Sequence, residues 1–332
     1  MPFLSISAIS KGLHHPLFFF GCMLQLLIIV SCMNSGPKPV SSEVVLFSTI
    51  GDIPFRDCIC SVETDGSNFK RLLSPTQNRS YLYASGNSLR NGLVVTVEEL
   101  DSSGQIEVHM YLYHPKDDQW IRLLTEEGLE GAGYMSPDSS RIAYVFAPKS
   151  QPKQLRTWVM DLKTGNRKKL TGDDNQEGAW DGYLSWRPDG KEIVFLRLNL
   201  TADGVTSKLM SVSPSGGQPN LILEKQEGTA ASCYAPDGKR LAVLSKNGLE
   251  ILEPTEPSRK VIVPLSSLPN VQLLMGSLIC SRTQDVIAFS VFNRETKQYE
   301  LWTVSSDGTG LSQIYSQGEK DGKLTVSSFI QE

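Results

Sequence analysis

The sequence predicts an all-β protein, specifically a closed six-bladed β-propeller, and three observations support this. Short apolar runs broken by Gly, Pro, Asp, Asn and Ser occur throughout the chain, whereas helix-favouring runs are scarce. One apolar strand recurs at a nearly fixed spacing. A surplus strand at the C-terminus matches a strand that is missing at the start of the repeats. Together these features indicate small antiparallel sheets arranged in a ring.

Residues 1–31 predict an export signal rather than a folded segment. A weakly basic start precedes an apolar stretch from Leu17 to Val30, which has the length of a signal-peptide core and is short for a membrane span. The stretch ends in Ile29-Val30-Ser31-Cys32, which resembles the bacterial lipobox. That resemblance implies cleavage before Cys32 and lipid attachment to its thiol. A plain secretory signal with a chance Cys, or an uncleaved anchor, are the alternatives.

Residues 32–42 predict a lipidated Cys followed by a flexible, polar and Pro-rich tether. Met33 rather than Asp follows the Cys, which, by its similarity to enterobacterial sorting signals, implies the outer membrane. We therefore expect a lipid-anchored protein of the bacterial cell envelope. The net charge of −4 indicates no nucleic-acid partner, because such a protein normally carries a positive surface.

From residue 43 to residue 332 the chain repeats one unit six times. The equivalent apolar strands are marked by Val45, Leu93, Ile142, Ile193, Leu241 and Ile287. Successive strands are 48, 49, 51, 48 and 46 residues apart. Each unit contains four short strands, which is the size of one propeller blade.

Three units retain the same tight turn before this strand, with Pro-Asp at residues 136–139, 187–190 and 235–238. Pro presets its own φ, Asp bonds to nearby backbone and Gly tolerates positive φ, so these residues predict hairpins. The corresponding residues 281–284 and 86–88 have lost the motif.

The two ends of the repeat region predict how the ring closes. The first unit begins at Glu43 without its own inner strand, whereas residues 323–330 form a surplus strand after the last unit. Pairing the two would complete blade one and remove two open sheet edges. A solenoid would need capping ends instead. We expect a closed ring that acts as a monomer.

The Pro-Asp turns with their flanks, Trp186-Arg187-Pro188-Asp189-Gly190-Lys191 and Tyr234-Ala235-Pro236-Asp237-Gly238-Lys239, resemble the WD40-like PD40 repeats of the TolB-like family. The resemblance covers residues 43–332 and implies a six-bladed propeller. Family members carry an α/β domain before the propeller, whereas here the tether leads directly into blade one. Similar blades precede the hydrolase domain of prolyl oligopeptidase-type peptidases, which we do not expect here because the chain ends with its propeller.

The candidate contact residues lie in an acidic stretch between the third and fourth units. Asp173, Asp174, Glu177 and Asp181 could supply oxygen ligands to Ca²⁺, although they lack EF-hand spacing, and Trp180 is a candidate exposed contact. A solvated acidic loop is the alternative. Apart from Ca²⁺ the sequence indicates no cofactor.

No nucleophile elbow, P-loop, zinc-protease or dinucleotide motif is present in the sequence. The predicted function is therefore a non-catalytic scaffold that binds envelope proteins or a glycan. A propeller hydrolase or lyase with its site at the channel mouth is the alternative.

Four cysteines remain after the signal and the lipidated position: Cys58, Cys60, Cys233 and Cys280. Cys58 and Cys60 share one face of a predicted strand, which leaves no bend for a disulfide between them. The favoured interpretation is four buried, reduced side chains. A disulfide among them is the alternative.

Overall fold

The computed structural model describes residues 43–50, 57–172, 179–201, 204–226, 231–255, 259–268 and 270–331. Residues 1–31, Cys32 and the tether lie outside these ranges, as do Asp173, Asp174 and Glu177. Within the described part of the chain, no helix is long and apolar enough to cross a membrane.

The described residues form six four-stranded antiparallel sheets, which confirms the predicted propeller. Blade one contains β1 (Glu43–Ile50), β2 (Cys58–Glu63) and β3 (Lys70–Leu73), with the C-terminal strand inside β1. Blade two contains β4 (Arg79–Ser85), β5 (Leu93–Leu100), β6 (Ile106–His114) and β7 (Gln119–Arg122). Blade three contains β8 (Gly128–Met135), β9 (Arg141–Pro148), β10 (Arg156–Asp161) and β11 (Arg167–Lys169).

The remaining three blades follow the same order from the channel outward. Blade four contains β12 (Ala179–Trp186), β13 (Ile193–Thr201), β14 (Gly204–Val212) and β15 (Asn220–Gln226). Blade five contains β16 (Ala231–Tyr234), β17 (Leu241–Ser245), β18 (Gly248–Leu252) and β19 (Arg259–Pro264). Blade six contains β20 (Val271–Cys280), β21 (Ile287–Asn293), β22 (Gln298–Val304) and β23 (Ser312–Gly318), and β24 (Lys323–Gln331) ends the chain.

The ring closes as predicted. Strand β24 pairs antiparallel with β1, from Lys323 opposite Ile50 to Gln331 opposite Glu43. This pairing joins the two ends of the repeat region, so blade one has its full set of four strands. The sheet edges that the terminal strands would otherwise expose are therefore satisfied.

The second strand of each blade forms the core. Strands β1, β9, β17 and β21 are buried along most of their length rather than on alternate residues. Both faces of such a strand pack against neighbouring blades; one cluster, for example, joins Val145 of blade three to Trp186 and Phe195 of blade four. This explains why the repeat appears in the sequence as continuous apolar runs.

The Pro-Asp turns form as their residues predict. The last turn residue has positive φ in all three copies, 59° at Ser139, 70° at Gly190 and 65° at Gly238. Its N–H donates to the carbonyl of the first turn residue at 3.0, 2.9 and 2.9 Å. These turns connect inner to second strands, so residues 86–92, 136–140, 187–192, 235–240 and 281–286 lie at one end of the ring, the turn face.

Candidate functional site at the channel mouth

The six inner strands surround a central channel that side chains largely fill, leaving a cavity of about 60 Å³. Tyr83 and Tyr134 lie with ring centroids 5.2 Å apart, and the Tyr83 hydroxyl donates to the Ser327 carbonyl at 2.8 Å. Tyr183 lies against the backbone of Gly276, where an added Cβ would be only 2.4 Å from the tyrosine ring. Blades four and six are therefore in contact across the channel.

Burial raises the pKa of each of these three tyrosines, Tyr83, Tyr134 and Tyr183. Their hydroxyls therefore remain protonated at neutral pH and act as neutral hydrogen-bonding groups. The three tyrosines give the cavity an aromatic, neutral lining, and Arg282 borders the same cavity.

Arg282 crosses the channel just below the turn face. It starts in the turn of blade six, and its Nη2 donates to the carbonyl of Met135 in blade three at 2.8 Å. The two blades lie opposite each other in a six-membered ring, so the side chain spans the channel. Its Nη1 is buried and has no protein partner, and no described carboxylate forms an ion pair with it. Burial lowers the pKa of Arg282 to about 10, so the guanidinium is still charged at neutral pH.

The residues on either side of Arg282 are held in place. The hydroxyls of Ser281 and Thr283 both donate to the buried carboxylate of Glu43 in blade one. The Ser281 hydroxyl also accepts the backbone N–H of Thr283 at 3.1 Å and of Gln284 at 2.9 Å. These bonds replace the lost Pro-Asp chemistry, and they fix the direction in which Arg282 leaves the turn.

Outside Arg282 the channel opens at the turn face into a mouth of about 400 Å³. The second turn position lines it, as Pro137, Pro188, Asn87 and Arg282 in four different blades. The Asn87 amide donates to the carbonyls of residues 136 and 137 at 2.8 and 3.0 Å, whereas its Oδ1 is buried without a partner. The two blades that lost the Pro-Asp turn thus place polar side chains, Asn87 and Arg282, where two other blades place Pro.

Asp181, one of the predicted contacts, lies buried between blades three and four. It accepts from Nε of Arg197 at 2.8 Å, from the backbone N–H of Thr157 at 3.3 Å and from the Thr171 hydroxyl. Trp180 precedes it on β12, is half-buried and faces the opposite side of the strand. The structure therefore brings Asp181 together with Arg197 rather than with Trp180.

Asp173, Asp174 and Glu177, the other predicted contacts, lie outside the described residues. Within the described ranges, no three His, Cys, Asp or Glu side chains come together as a metal-binding group.

Glu130 occupies the position in blade three that corresponds to Asp181 in blade four. Its carboxylate accepts the backbone N–H of Met110 at 2.8 Å and contacts Nδ1 of His109 at 3.2 Å, and Arg122 lies 2.9 Å from the same nitrogen. Burial raises the pKa of Glu130, while the bonds from His109 and Met110 oppose this rise. Each acid therefore joins its blade to the preceding one by accepting a backbone N–H, from Thr157 at Asp181 and from Met110 at Glu130. Sequence spacing alone did not reveal this shared role.

The cysteine prediction requires a correction. Cys58 and Cys60 are buried and free, as favoured, but Cys233 and Cys280 form a disulfide with their Cα atoms 5.6 Å apart. These two residues lie on the adjacent inner strands β16 and β20, and 47 positions separate them in the sequence. Their separation is close to one repeat, so the two cysteines occupy similar positions in successive blades. They come into contact because the ring places successive inner strands side by side.

Comparison with known proteins relates the fold to solved propellers. No family model and no curated protein matches the sequence. TolB from Acinetobacter baumannii is similar in structure, with a TM-score of 0.64 and 17% identity over 87% of this chain and 66% of that one. A putative TolB from Agrobacterium tumefaciens gives a TM-score of 0.58 and 12% identity, covering 87% of this chain and 98% of the other.

Propellers of other proteins are also similar. An oligogalacturonate lyase in complex with manganese gives a TM-score of 0.53 and 13% identity over 83% of this chain and 74% of the lyase. Identities this low establish the fold alone. With six closed blades and these structural neighbours, the chain has the six-bladed propeller fold of the TolB-like proteins.

Proposed function

We propose that this chain is a non-catalytic binding scaffold of the bacterial cell envelope, held at the membrane by a lipid on Cys32. The observation that carries the proposal is the packing of the channel. Its aromatic side chains fill the centre, and Asp181 and Glu130 are engaged in joining blades. These buried polar residues thus stabilise the fold. A partner would therefore bind to a face of the propeller rather than within the channel centre.

The turn face is the surface that we propose for binding. Three of its turns are short, hydrogen-bonded and contain Pro, and they form part of a rigid rim around a mouth of about 400 Å³. Rigid surfaces lose little conformational entropy on association. The partner we propose is an envelope protein or a glycan that covers this rim.

Site-specific photocrosslinking in the native envelope tests the binding role. A crosslinker at Lys239, on the turn face, should capture a discrete partner, whereas one at Ser103, in the turn between β5 and β6 at the other end of the blades, should not. Equal capture at both positions, or none at Lys239, would contradict the proposed face.

Membrane fractionation tests the anchor. The Cys32→Ala variant should leave the membrane fraction, because a propeller without its lipid has no attachment. A variant with Cys58→Ala controls for the loss of a cysteine in general. Retention at the membrane of Cys32→Ala protein that has lost residues 1–31 would exclude the lipid anchor.

A propeller lyase or hydrolase is the second candidate. The likeness to oligogalacturonate lyase and the charged Arg282 at the channel mouth favour it. Incubation of the purified protein with oligogalacturonate, followed by absorbance of unsaturated products, separates the two candidates. Turnover that is lost in Arg282→Gln would support the enzyme and contradict the scaffold.

A further inference from the structure

We propose that the end of the channel beneath the turn face is a binding site for a small carboxylate anion, with Arg282 as its cationic centre. This goes beyond the binding role above, because the site needs no macromolecular partner. The ligand class follows from the charge, the hydrogen-bonding groups and the size of the space around Arg282.

No carboxylate of the described residues forms an ion pair with Arg282; Glu43 favours its charge only from outside ion-pair distance. The Nη2 of Arg282 bonds to a neutral carbonyl, and Nη1 has no protein partner although it is buried. By contrast, the buried Arg197 has Asp181 against it at 2.8 Å. A buried charge is costly unless an opposite charge compensates it, so a bound anion would stabilise the folded protein.

The unpartnered groups around the cavity can donate hydrogen bonds, so a ligand with acceptor atoms would satisfy them. Arg282 borders the cavity of about 60 Å³, and so do Ser232 and Ser327, whose hydroxyls are buried without a protein partner. Buried polar groups in proteins are nearly always hydrogen-bonded. A guanidinium only donates and a hydroxyl can donate, so a group with several lone pairs satisfies all three.

The size and charge favour a single carboxylate over a phosphate. The cavity accommodates a few non-hydrogen atoms, and a guanidinium pairs well with the planar carboxylate group. Arg282 is the one Lys, Arg or His among the described residues that line the cavity or the mouth. Glu43 and Asp138 also border the mouth and would repel a doubly charged ligand.

The repeat explains why this site occurs once in the ring. Pro137, Pro188 and Pro236 occupy the second turn position in three blades, where they can place no charge in the channel. Blade six has Arg282 there, and the bonds from Ser281 and Thr283 to Glu43 hold its turn in place. The site is therefore built before the ligand arrives, which lowers the entropic cost of binding.

Titration of the full-length protein in detergent with sodium acetate tests this inference. Sodium chloride and sodium sulfate serve as comparison ligands at constant ionic strength and pH 7. Acetate should raise the Tm saturably and change the fluorescence of Trp186, which lines the cavity. Chloride and sulfate should bind at least about tenfold more weakly, as the stated ligand class requires.

Arg282→Gln should weaken acetate binding at least about tenfold, and Arg282→Lys should retain part of it. Arg240→Gln is the matched control, because Arg240 lies on the same face and pairs with Asp237 outside the cavity. No saturable acetate effect on the wild type, or equal binding by Arg282→Gln, would overturn the site. Equal responses to acetate and chloride would overturn its carboxylate preference. If Arg282→Gln does not fold, the wild-type titration and the Arg282→Lys variant decide the question.

Discussion

Arg197 and Arg282 of the same propeller have different electrostatic surroundings. Arg197 lies between blades and donates from Nε to the fully buried Asp181 at 2.8 Å. Arg282 crosses the channel and meets a neutral carbonyl, with one nitrogen lacking any protein partner. Among the described residues, Arg197 has a carboxylate in direct contact, whereas Arg282 has only Glu43 beyond ion-pair distance.

This difference distinguishes a charged pair that stabilises the fold, Arg197 and Asp181, from a charged group that is available to a ligand, Arg282. Asp181 is bonded to Arg197, Thr157 and Thr171, so it has little capacity left for a ligand. Arg282 retains a donor and a positive charge facing the channel. Buried charge alone does not mark a functional site; a charge that borders a cavity and has no carboxylate in direct contact is a better indicator.

The largest expected effect comes from removing the anion of the compensated pair. Asp181→Ala leaves Arg197 buried without its counter-ion and should lower the free energy of unfolding by about 3–5 kcal/mol. Denaturant unfolding measures this loss. Asp189→Ala is the control, since Asp189 pairs with Arg187 at the surface and should cost about 1 kcal/mol or less. Similar losses in the two variants would contradict the distinction between buried and exposed pairs.

The next effect concerns the disulfide that fixes the strand leading to Arg282. Replacing Cys233 and Cys280 together by Ala should lower the free energy of unfolding by about 2–4 kcal/mol, because a closed loop in the unfolded chain is released. Denaturant unfolding with and without reductant checks this. Reductant should destabilise the wild type by a similar amount and leave the double variant unchanged. If reductant left the free energy of unfolding of the wild type unchanged, the disulfide would not contribute to stability as predicted.

The fold was predictable because its signal is repeated. The equivalents of Val45 recur six times, and each lies in the second strand of a blade; the surplus strand at residues 323–330 pairs with β1 as expected. Such local patterns reflect burial and turn geometry, which act over a few residues.

The candidate site was harder to predict because it depends on contacts across the ring. Nothing local connects Arg282 with Met135, or Cys233 with Cys280, since whole blades separate them in sequence. The one local signal for Arg282 was the loss of Pro-Asp at residues 281–284, and it indicated a degenerate turn rather than a binding group. Asp181 was identified from its acidic neighbours, whereas its partner Arg197 follows on the next strand.

A smaller effect is expected from replacing Arg282 by Met, with the same replacement of Arg197 as the comparison. Arg282→Met removes a charge that has no carboxylate in direct contact, so it should lower the free energy of unfolding by about 1 kcal/mol or less, or raise it. Arg197→Met leaves Asp181 buried and unpaired and should cost about 3–5 kcal/mol. Denaturant unfolding in chloride buffer compares them. A large loss in Arg282→Met would mean that its bond to Met135 stabilises the ring more than its charge destabilises it.

The smallest effect concerns the pH dependence of stability. The contributions of the buried Glu130 and of the ion-paired Asp189 should change with pH in opposite directions. Burial raises the pKa of Glu130 above 4.5, so its contribution to stability is complete below that value and falls as pH rises through its folded pKa. Hydrogen bonding to Arg187 lowers the pKa of Asp189 from 3.8 to about 2, so its contribution is complete above 3.8 and is lost as pH falls towards 2.

Unfolding of Glu130→Gln and Asp189→Asn between pH 3 and pH 6 measures both contributions against the wild type. As pH falls through this range, the advantage of the wild type should grow relative to Glu130→Gln and shrink relative to Asp189→Asn. His109 and Arg122 face the Glu130 side, so His109→Gln controls for a second titrating group in that cluster. If the stability difference from the wild type changed with pH in the same direction for both variants, the predicted difference in sign would be wrong. His109 and Arg122 would then offset the cost of burying Glu130.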